Sequence, residues 1–411
     1  MKKGNRISKR FPTKKDELYL KANKGKLNLM PYFAIIFLIS YFLVYFYLYF
    51  KIIKPLKKFI VLKIFLVILA FLGYVGLFIW KYMEAKGNLF LSYWIGLFSL
   101  FWMGYVIYLF FLSLFFELGD LICKVFSRLL RSCLLYKGEG ANFSMILLVL
   151  AFILSIYSYY ETLNLKIEYF LVKTEKLPSN YPRVKILHIS DVHLGPIMGL
   201  DKILLIKAVY EKEKPDIVLS TGDLVDGNME NREFLAKALA DINPPFGKYA
   251  IFGNHEYYRG FSQAIEFTKK AGFQVIIDDI FPIENLNISL VGAEDNTCRF
   301  FNLCQSKSNH SDIELLKRAD KNSFIIYLKH KPKLEEGAWK YFDLMLSGHT
   351  HGGLYYPIGK FFLSFFYIAD RGLHKKEKAL LYVSKGVGTG GPPMRFLSPP
   401  DVAIIELVRT P

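Results

Sequence analysis

The sequence predicts an α/β or α+β domain, its sheets covered by helices, preceded by a helical membrane region. Three observations lead there. Four long runs without a charged residue fill much of the first 160 residues, short apolar runs alternate with amphipathic segments after Tyr160, and several of those short runs end in Asp, Asn or His. The 411 residues suffice for two or three units. They divide into a basic tail over 1–30, a membrane region over 31–163 and a domain over 164–411.

The uncharged runs are Pro31–Phe50, Ile64–Trp80, Gly87–Phe116 and Ala141–Tyr160. A helix of about 20 residues crosses a bilayer, so four transmembrane helices are expected. No amphipathic partner segments precede residue 160, which argues against the buried helices of a soluble core. The first run starts after a long basic tail and lacks a small-residue cleavage site, so it is read as a retained span and not a signal peptide. The tail carries Lys2, Lys3, Arg6, Lys9, Arg10, Lys14, Lys15, Lys21, Lys24 and Lys26, against Lys51, Lys54, Lys57 and Lys58 beyond the first span. That asymmetry predicts a multi-pass protein of the inner (cytoplasmic) membrane with both termini and the C-terminal domain in the cytoplasm. The third run fits one long tilted helix or two short ones, and two would put the C-terminal half outside. Residues 121–137, LICKVFSRLLRSCLLYK, space Lys124, Arg128 and Arg131 like a helix lying in the headgroup layer.

A net charge of +17 gathered beside the spans points to anionic membrane lipid as a partner and not to nucleic acid. The cysteines are Cys123, Cys133, Cys298 and Cys304, with no CxxC pair and no dense framework, so free thiols are expected.

After Tyr160 the strands are read at RVKILHIS (183–190), PDIVLST (215–221), KYAIFG (248–253), FQVIID (273–278), ISLVGA (288–293), FIIYLK (324–329), FDLMLS (342–347), ALLYVS (379–384) and VAIIELV (402–408). DKILLIKAVYEKEK, REFLAKALADI, SQAIEFTKKA and DIELLKRAD carry the helical period between some of them.

Five of these strands deliver a polar, metal-binding type of residue at their C-terminal ends. Asp191-Val-His193 follows the first, Asp223 the second, Asn254-His255-Glu256 the third, His330 the FIIYLK strand, and His349-Thr350-His351 the FDLMLS strand. Sites in open α/β sheets form at that edge, where loops converge. All eight histidines lie after residue 187, and five are in this set. Carboxylate, imidazole and amide donors in this number suit two divalent first-row ions. With Asp191 and Asp223 as the carboxylates, two dications leave the site net positive, which calls for an anionic substrate such as a phosphate ester or anhydride. The spacings of His349-Thr350-His351 and Asp191-Val-His193 are expected to act through an extended backbone, alternate residues facing one way, with Gly348, Gly352 and Gly353 letting the first loop approach the ions.

This set resembles the calcineurin-like metallophosphoesterase family, whose motifs run DxH, GD, GNH(D/E), H and GHxH in that order. The resemblance covers residues 164–411 and implies a sandwich of two mixed β-sheets flanked by helices. It implies that Asp191, His193 and His351 hold one ion, that Asp223 bridges, and that Asn254, His330 and His349 complete the second, with Mn2+ the expected ion and Fe or Zn also suited. It leaves His255 without a metal, in the role of a general acid toward the leaving oxygen. Membrane-bound members include a UDP-2,3-diacylglucosamine diphosphatase of lipid A synthesis, which implies a phosphorylated, acylated substrate.

Other residues carry weaker expectations. His188 is read as a buried structural histidine, His310 and His374 as solvated loop residues, Glu256 as a hydrogen-bonding support of the metal site, and Asp226 as a loop residue. Arg395, in the glycine-rich turn GVGTGGPPMRF (386–396), is a candidate substrate-binding cation, with a surface position as the alternative. The aromatic segment LYYPIGKFFLSFFYIAD (354–370) follows the metal loop directly and is expected to face lipid or acyl chains, or else to be ordinary core.

The expected function is a membrane-anchored di-metal phosphohydrolase with a lipid-linked substrate. The alternatives are a phosphatase or phosphodiesterase for soluble nucleotides and, from another class, a transporter or scaffold without activity. The spans carry few internal charges, with Lys63 near an end as the main case, so an ion path has little to build on.

Overall fold

The computed structural model describes residues 30–130, 140–305 and 311–411; all of the basic tail but Met30, together with Cys133 and His310, lies outside the described residues. Helix α1 (Met30–Leu48) passes into a π-helical turn at Tyr49–Ile53 and is followed by α2 (Ile60–Ala85), α3 (Leu89–Leu130) and α4 (Ala141–Glu161). These elements contain four segments long and apolar enough to cross a membrane: Ile35–Ile53, Ile60–Ala85, Leu89–Val125 and Ala141–Glu161. Large apolar side chains such as Val61, Phe71 and Phe115 stand exposed on them, as lipid-facing positions do.

The third run is one helix and not two. No proline interrupts residues 89–130, and the helix continues through Gly119 into the basic stretch, where Lys124 pairs with Asp120 one turn earlier. At about 63 Å it is twice the thickness of a hydrocarbon core. The separate headgroup-layer helix expected at 121–137 is therefore, up to Leu130, the end of α3. Residues 131–137 lie outside the described residues.

The C-terminal domain runs β1 (Lys166–Thr174), β2 (Arg183–Ile189), α5 (Leu200–Glu213), β3 (Ile217–Ser220), α6 (Glu233–Ala240), β4 (Lys248–Ala250), α7 (Asn254–Arg259), α8 (Phe261–Lys270), β5 (Gln274–Val275), β6 (Asp279–Ile283), β7 (Ile288–Gly292), α9 (Cys298–Phe301), α10 (Asp312–Lys317), β8 (Phe324–Leu328), β9 (Leu344–Ser347), α11 (Ile358–Leu363), β10 (Gly372–Lys376), β11 (Ala379–Val383) and β12 (Asp401–Arg409). Two six-stranded sheets result, ordered β1-β12-β2-β3-β4-β5 and β10-β11-β9-β8-β7-β6. Both are mixed: β2, β3, β4 and β5 are parallel while β12 opposes β2, and β7, β8, β9 and β11 are parallel while β6 and β10 oppose their neighbours.

Period-two alternation assigns each strand's faces. Val184 and Ile186 of β2 and Ile405 and Leu407 of β12 pack between the sheets against Ile288, Ile326 and Leu344. Leu187, Ile189 and Ile404 face the other way, under Ile203 of α5, Leu235 of α6 and Phe267 of α8. The second sheet covers its outer face with Leu315 and Leu316 of α10.

The domain is seated on α2, α3 and α4. Arg395 N donates to Ser158 O (2.9 Å), Leu397 N to Glu161 Oε2 (2.8 Å) and Asn228 N to Glu84 Oε1 (3.0 Å), while Tyr108 of α3 packs against Tyr355 and Phe396. The thiol expectation is corrected at Cys298 and Cys304, which form a disulfide. The short α9 turns the chain back, Leu303 N bonding Cys298 O, and brings the two Cα atoms to 4.7 Å. Cys123 is free.

Candidate metal centre

The strands β2, β3 and β4 of one sheet and β8 and β9 of the other end at a common edge, and their C-terminal loops bring Asp191, His193, Asp223, Asn254, His330, His349 and His351 together. The backbone that does this is left-handed, contrary to the extended geometry expected of the DxH and HxH pairs. Asp191 (φ 50°), His193 (54°), Asp223 (50°), His349 (71°) and His351 (49°) all lie in the αL region, which costs a non-glycine residue about 1–3 kcal/mol. The surrounding hydrogen bonds hold it there: Asp191 N donates to Gly222 O (3.0 Å), His193 N to Asp223 O (2.9 Å) and His349 N to Asp191 Oδ2 (3.0 Å). Gly348 and Gly253 are dictated by space, since a Cβ at Gly348 would overlap Ser190 and the Asp191 carboxylate, and one at Gly253 would overlap Asp223 and His330.

The donor atoms form two groups. In the first, His193 Nε2 lies 3.1 Å from His351 Nε2, and Asp191 Oδ1 is 3.6 Å from the latter and 3.9 Å from the former. In the second, His330 Nε2 lies 3.2 Å from each of Asp223 Oδ2, Asn254 Oδ1 and His349 Nδ1. Asp223 Oδ2 stands between the groups, 3.9 Å from His193 Nε2. Ligands about 2.1 Å from one ion lie about 3.0–3.4 Å apart; the second group has that spacing throughout, and in the first the two imidazoles have it while Asp191 stands slightly farther off. An outer partner orients His330: Nδ1 donates to the Thr221 carbonyl (2.8 Å), which turns Nε2 inward, where it can hold a proton or an ion.

The electrostatics point the same way. Burial alone would depress His330, but Asp223, helped by Asp191 and Asp295, lifts it to about 10. Burial and then the His330 charge push His349 down to about 3, while burial, His193 and Arg395 hold His351 well below its ordinary value. Burial favours a neutral Asp223, yet His330, His255 and His193 hold it well below the usual carboxylate range. Convergent buried lone pairs of this kind repel one another unless protons or cations lie between them, and the donor set therefore fits metal ions.

Glu256 supports the site as expected and takes no place among the donors. Fully buried, it accepts from the backbone N–H groups of Gly253 (2.8 Å), Asp223 (3.0 Å), Leu224 (2.7 Å) and Val225 (3.3 Å), tying the GD loop to the GNHE loop. Burial and then the charge of Asp223 raise it to about 7. His188 is a buried structural residue: Nε2 meets Thr221 Oγ1 (2.8 Å), whose hydroxyl reaches Ser190 beside Asp191. His374 is solvated, on strand β10 and not in a loop.

His255 sits in the first turn of α7, at the rim. Its Nδ1 is 2.7 Å from Asp226 Oδ1, its Nε2 is 4.0 Å from Asp223, and its ring packs edge-on to His193. Asp226 also approaches His193 Nδ1 (3.5 Å), so the residue read as a loop position touches both histidines. Its spacing, three residues after Asp223 in the same turn, was the only available signal. Tyr367, whose hydroxyl meets His349 Nε2 (2.8 Å), carried no signal at all, because an aromatic run conceals which ring turns inward.

Arg395 is corrected. It is fully buried, neither on the surface nor open to substrate, and its guanidinium donates to the carbonyls of Lys385, Gly386, Gly388 and Ser398, 3.1 Å behind His351 Nδ1. The GVGTGG turn supplies two of those carbonyls, from Gly386 and Gly388.

A family model described as calcineurin-like phosphoesterase matches residues 184–353. A metallophosphoesterase of Aquifex aeolicus, described as uncharacterized, is 46% identical over 261 residues, 63% of this chain and 97% of that protein. The chain belongs to the calcineurin-like phosphoesterase family, the metal-dependent phosphoester hydrolases. A Danio rerio protein described as a transmembrane protein with metallophosphoesterase domain is 28% identical over 77% of this chain and 74% of its own length. Among solved structures, a dimetal phosphatase of Danio rerio aligns with 12% identity and a TM-score of 0.33, over 50% of this chain and 88% of that one.

Proposed function

We propose that this phosphoesterase is anchored in the membrane by its four apolar helices and hydrolyses a phosphate ester or pyrophosphate on a lipid-linked substrate, using two divalent ions, Mn2+ by preference. Asp191, His193 and His351 would hold one ion, Asn254, His330 and His349 the other, with Asp223 serving both. When bound, the pair supplies positive charge to the phosphoryl oxygens and a nucleophile ready near neutral pH. The chain's own part is to fix the donors through Glu256 and the left-handed turns, and to present His255 at the rim. With Nδ1 tied to Asp226, the His255 ring is held to give a proton from Nε2 to the leaving oxygen.

One observation carries the lipid-linked reading. Immediately after the metal loop, Phe361, Phe362, Phe365 and Phe366 are 55–67% exposed, and the next residue, Tyr367, touches His349. An exposed apolar patch of this kind marks an interaction surface, and here it begins at the donor set itself.

The test is turnover by the full-length protein, loaded with Mn2+, on UDP-acyl-sugars including UDP-2,3-diacylglucosamine, lipid pyrophosphates and soluble nucleotides. Lipid-linked substrates should lead in kcat/KM by about 10-fold or more, on the scale of one buried apolar contact set. Equal or better turnover of soluble nucleotides would favour the nucleotide phosphatase. No turnover with both ions bound would favour a scaffold.

For the side of the membrane, the basic tail and four spans favour a cytoplasmic domain, while the Cys298–Cys304 disulfide favours an exported one, since disulfides persist in oxidising compartments. A C-terminal reporter that works only inside the cell supports the first reading; one that works only after export supports the second.

A further inference from the structure

Away from the metal centre, a cavity of about 400 Å³ opens where the ends of α3 and α4 meet the loop 195–199 and the start of α5. Its wall is mainly apolar, with Tyr93, Leu97, Tyr159, Ile197, Phe234 and Pro393 among the lining residues. Two cations lie in it, and both are buried: Lys202 is 2% exposed and Arg232 6%. Neither has a carboxylate within hydrogen-bonding distance among the described residues, although Asp201 lines the cavity as well. Lys202 Nζ gives one of its three donors to the Thr162 carbonyl (2.9 Å), and the carboxylate facing it, Asp201, stands 3.9 Å away with a largely exposed side chain. Arg232 donates to the carbonyls of Asn228 (3.0 Å) and Gly195 (2.9 Å), and Glu84, whose charge it feels, is engaged with Lys81 and Asn228 N.

Burying two cations beside apolar side chains is unfavourable unless an anion shares the space. The first turn of α5 lines the same cavity and adds the positive end of its dipole. The place matters as much as the charge. The cavity adjoins Leu89, where α3 begins, and Thr162, just past the end of α4, and its rim exposes Leu163, Leu200 and Phe234. A small soluble anion would leave that apolar wall and rim uncovered.

We propose that this cavity holds the headgroup phosphate of an anionic bilayer phospholipid, with Lys202 and Arg232 as its cationic partners and the apolar wall as the bed for its acyl chains. The site is separate from the metal donors, although Gly195, to which Arg232 bonds, is only two residues beyond His193. A lipid bound there would brace the loop that carries His193. The proposal does not depend on what the metal centre cleaves.

Full-length protein in nanodiscs of phosphatidylcholine and phosphatidylglycerol, released into native mass spectrometry, tests this. One phosphatidylglycerol should stay bound in preference to phosphatidylcholine. Lys202→Met with Arg232→Met should weaken retention roughly 10- to 100-fold, as the loss of charged hydrogen bonds implies. Because that pair could also disturb the loop, Leu97→Trp is the second variant: it fills the cavity from α3, keeps both cations, and should lose the lipid while retaining metal content. Asp223→Ala should keep the lipid, which separates this cavity from a substrate bound at the metals. Retention of both lipids alike, retention unaffected by Leu97→Trp, loss in Asp223→Ala, or displacement of the lipid by millimolar inorganic phosphate would each overturn the proposal.

Discussion

Two stretches that are neighbours in the chain invert the usual rule of burial in opposite senses. The loop from Ser347 to Gly353 takes a histidine pair to the foot of a buried donor set, whereas the segment from Ile358 to Ile368 turns four phenylalanines out. Polar groups inside and apolar groups outside both cost stability, and each is retained where it meets a particular partner. The first is held by a dense set of hydrogen bonds and left-handed turns and fits small cations; the second is tied by Gly359 N to Tyr355 O (2.9 Å), by Ile368 N to Pro332 O (3.1 Å) and by Tyr367 on His349, and leaves its phenylalanine rings exposed. The contrast can be broken at either end.

The largest effect should come from Asp223→Ala. Its carboxylate stands between the two donor groups, so metal analysis should find the content falling from near two per chain toward none, with turnover down by at least about 10⁴-fold. Retention of one tightly bound ion would show that the groups do not share this residue.

His255→Ala should keep both ions. It should lose roughly 10² to 10⁴ in rate with a sugar or alkyl leaving group and clearly less with nitrophenolate, which needs little protonation. Equal losses on both would remove the acid role, and a lost ion would place the residue among the ligands.

Glu256→Gln replaces a carboxylate that accepts four backbone N–H groups with an amide that can offer one oxygen to them. Metal affinity, read by chelator competition, should weaken about 10- to 100-fold. An unchanged affinity would mean that the left-handed turns hold the donors without this brace.

The smallest and most selective effect belongs to the exposed patch. Phe361→Ser with Phe365→Ser and Phe366→Ser should raise KM for a lipid-linked substrate roughly 10-fold, given partial burial of each ring, and leave turnover of nitrophenyl phosphate unchanged. A matching loss on the soluble ester would show that the segment shapes the metal site itself.

Much of this architecture was legible beforehand. The nine strands read from the sequence are all present, because each is a short apolar run bounded by turn residues, and the sites follow their C-terminal ends. The strands missed, β1, β6 and β10, flank or lie at sheet edges, where charged residues such as Lys166, Glu168 and Lys375 dilute the apolar signal. α7 was missed because its residues are the motif itself, Asn254-His255-Glu256, which reads as a loop.

By itself the sequence determined which side chains would converge, since residue type and placement after a strand are local properties. It also determined the four apolar segments, since their length and lack of charge need no partner to be recognised. Only the tertiary structure decided the orientation of each group: that Arg395 turns inward behind His351, that Asp226 reaches both His193 and His255, that Cys298 meets Cys304, and that Lys202 and Arg232 share a cavity beside α3 and α4. The reason is that burial and pairing depend on contacts between segments far apart in the chain. A residue's spacing to its sequence neighbours carries no information about which distant carbonyl, sulfur or carboxylate will stand opposite it.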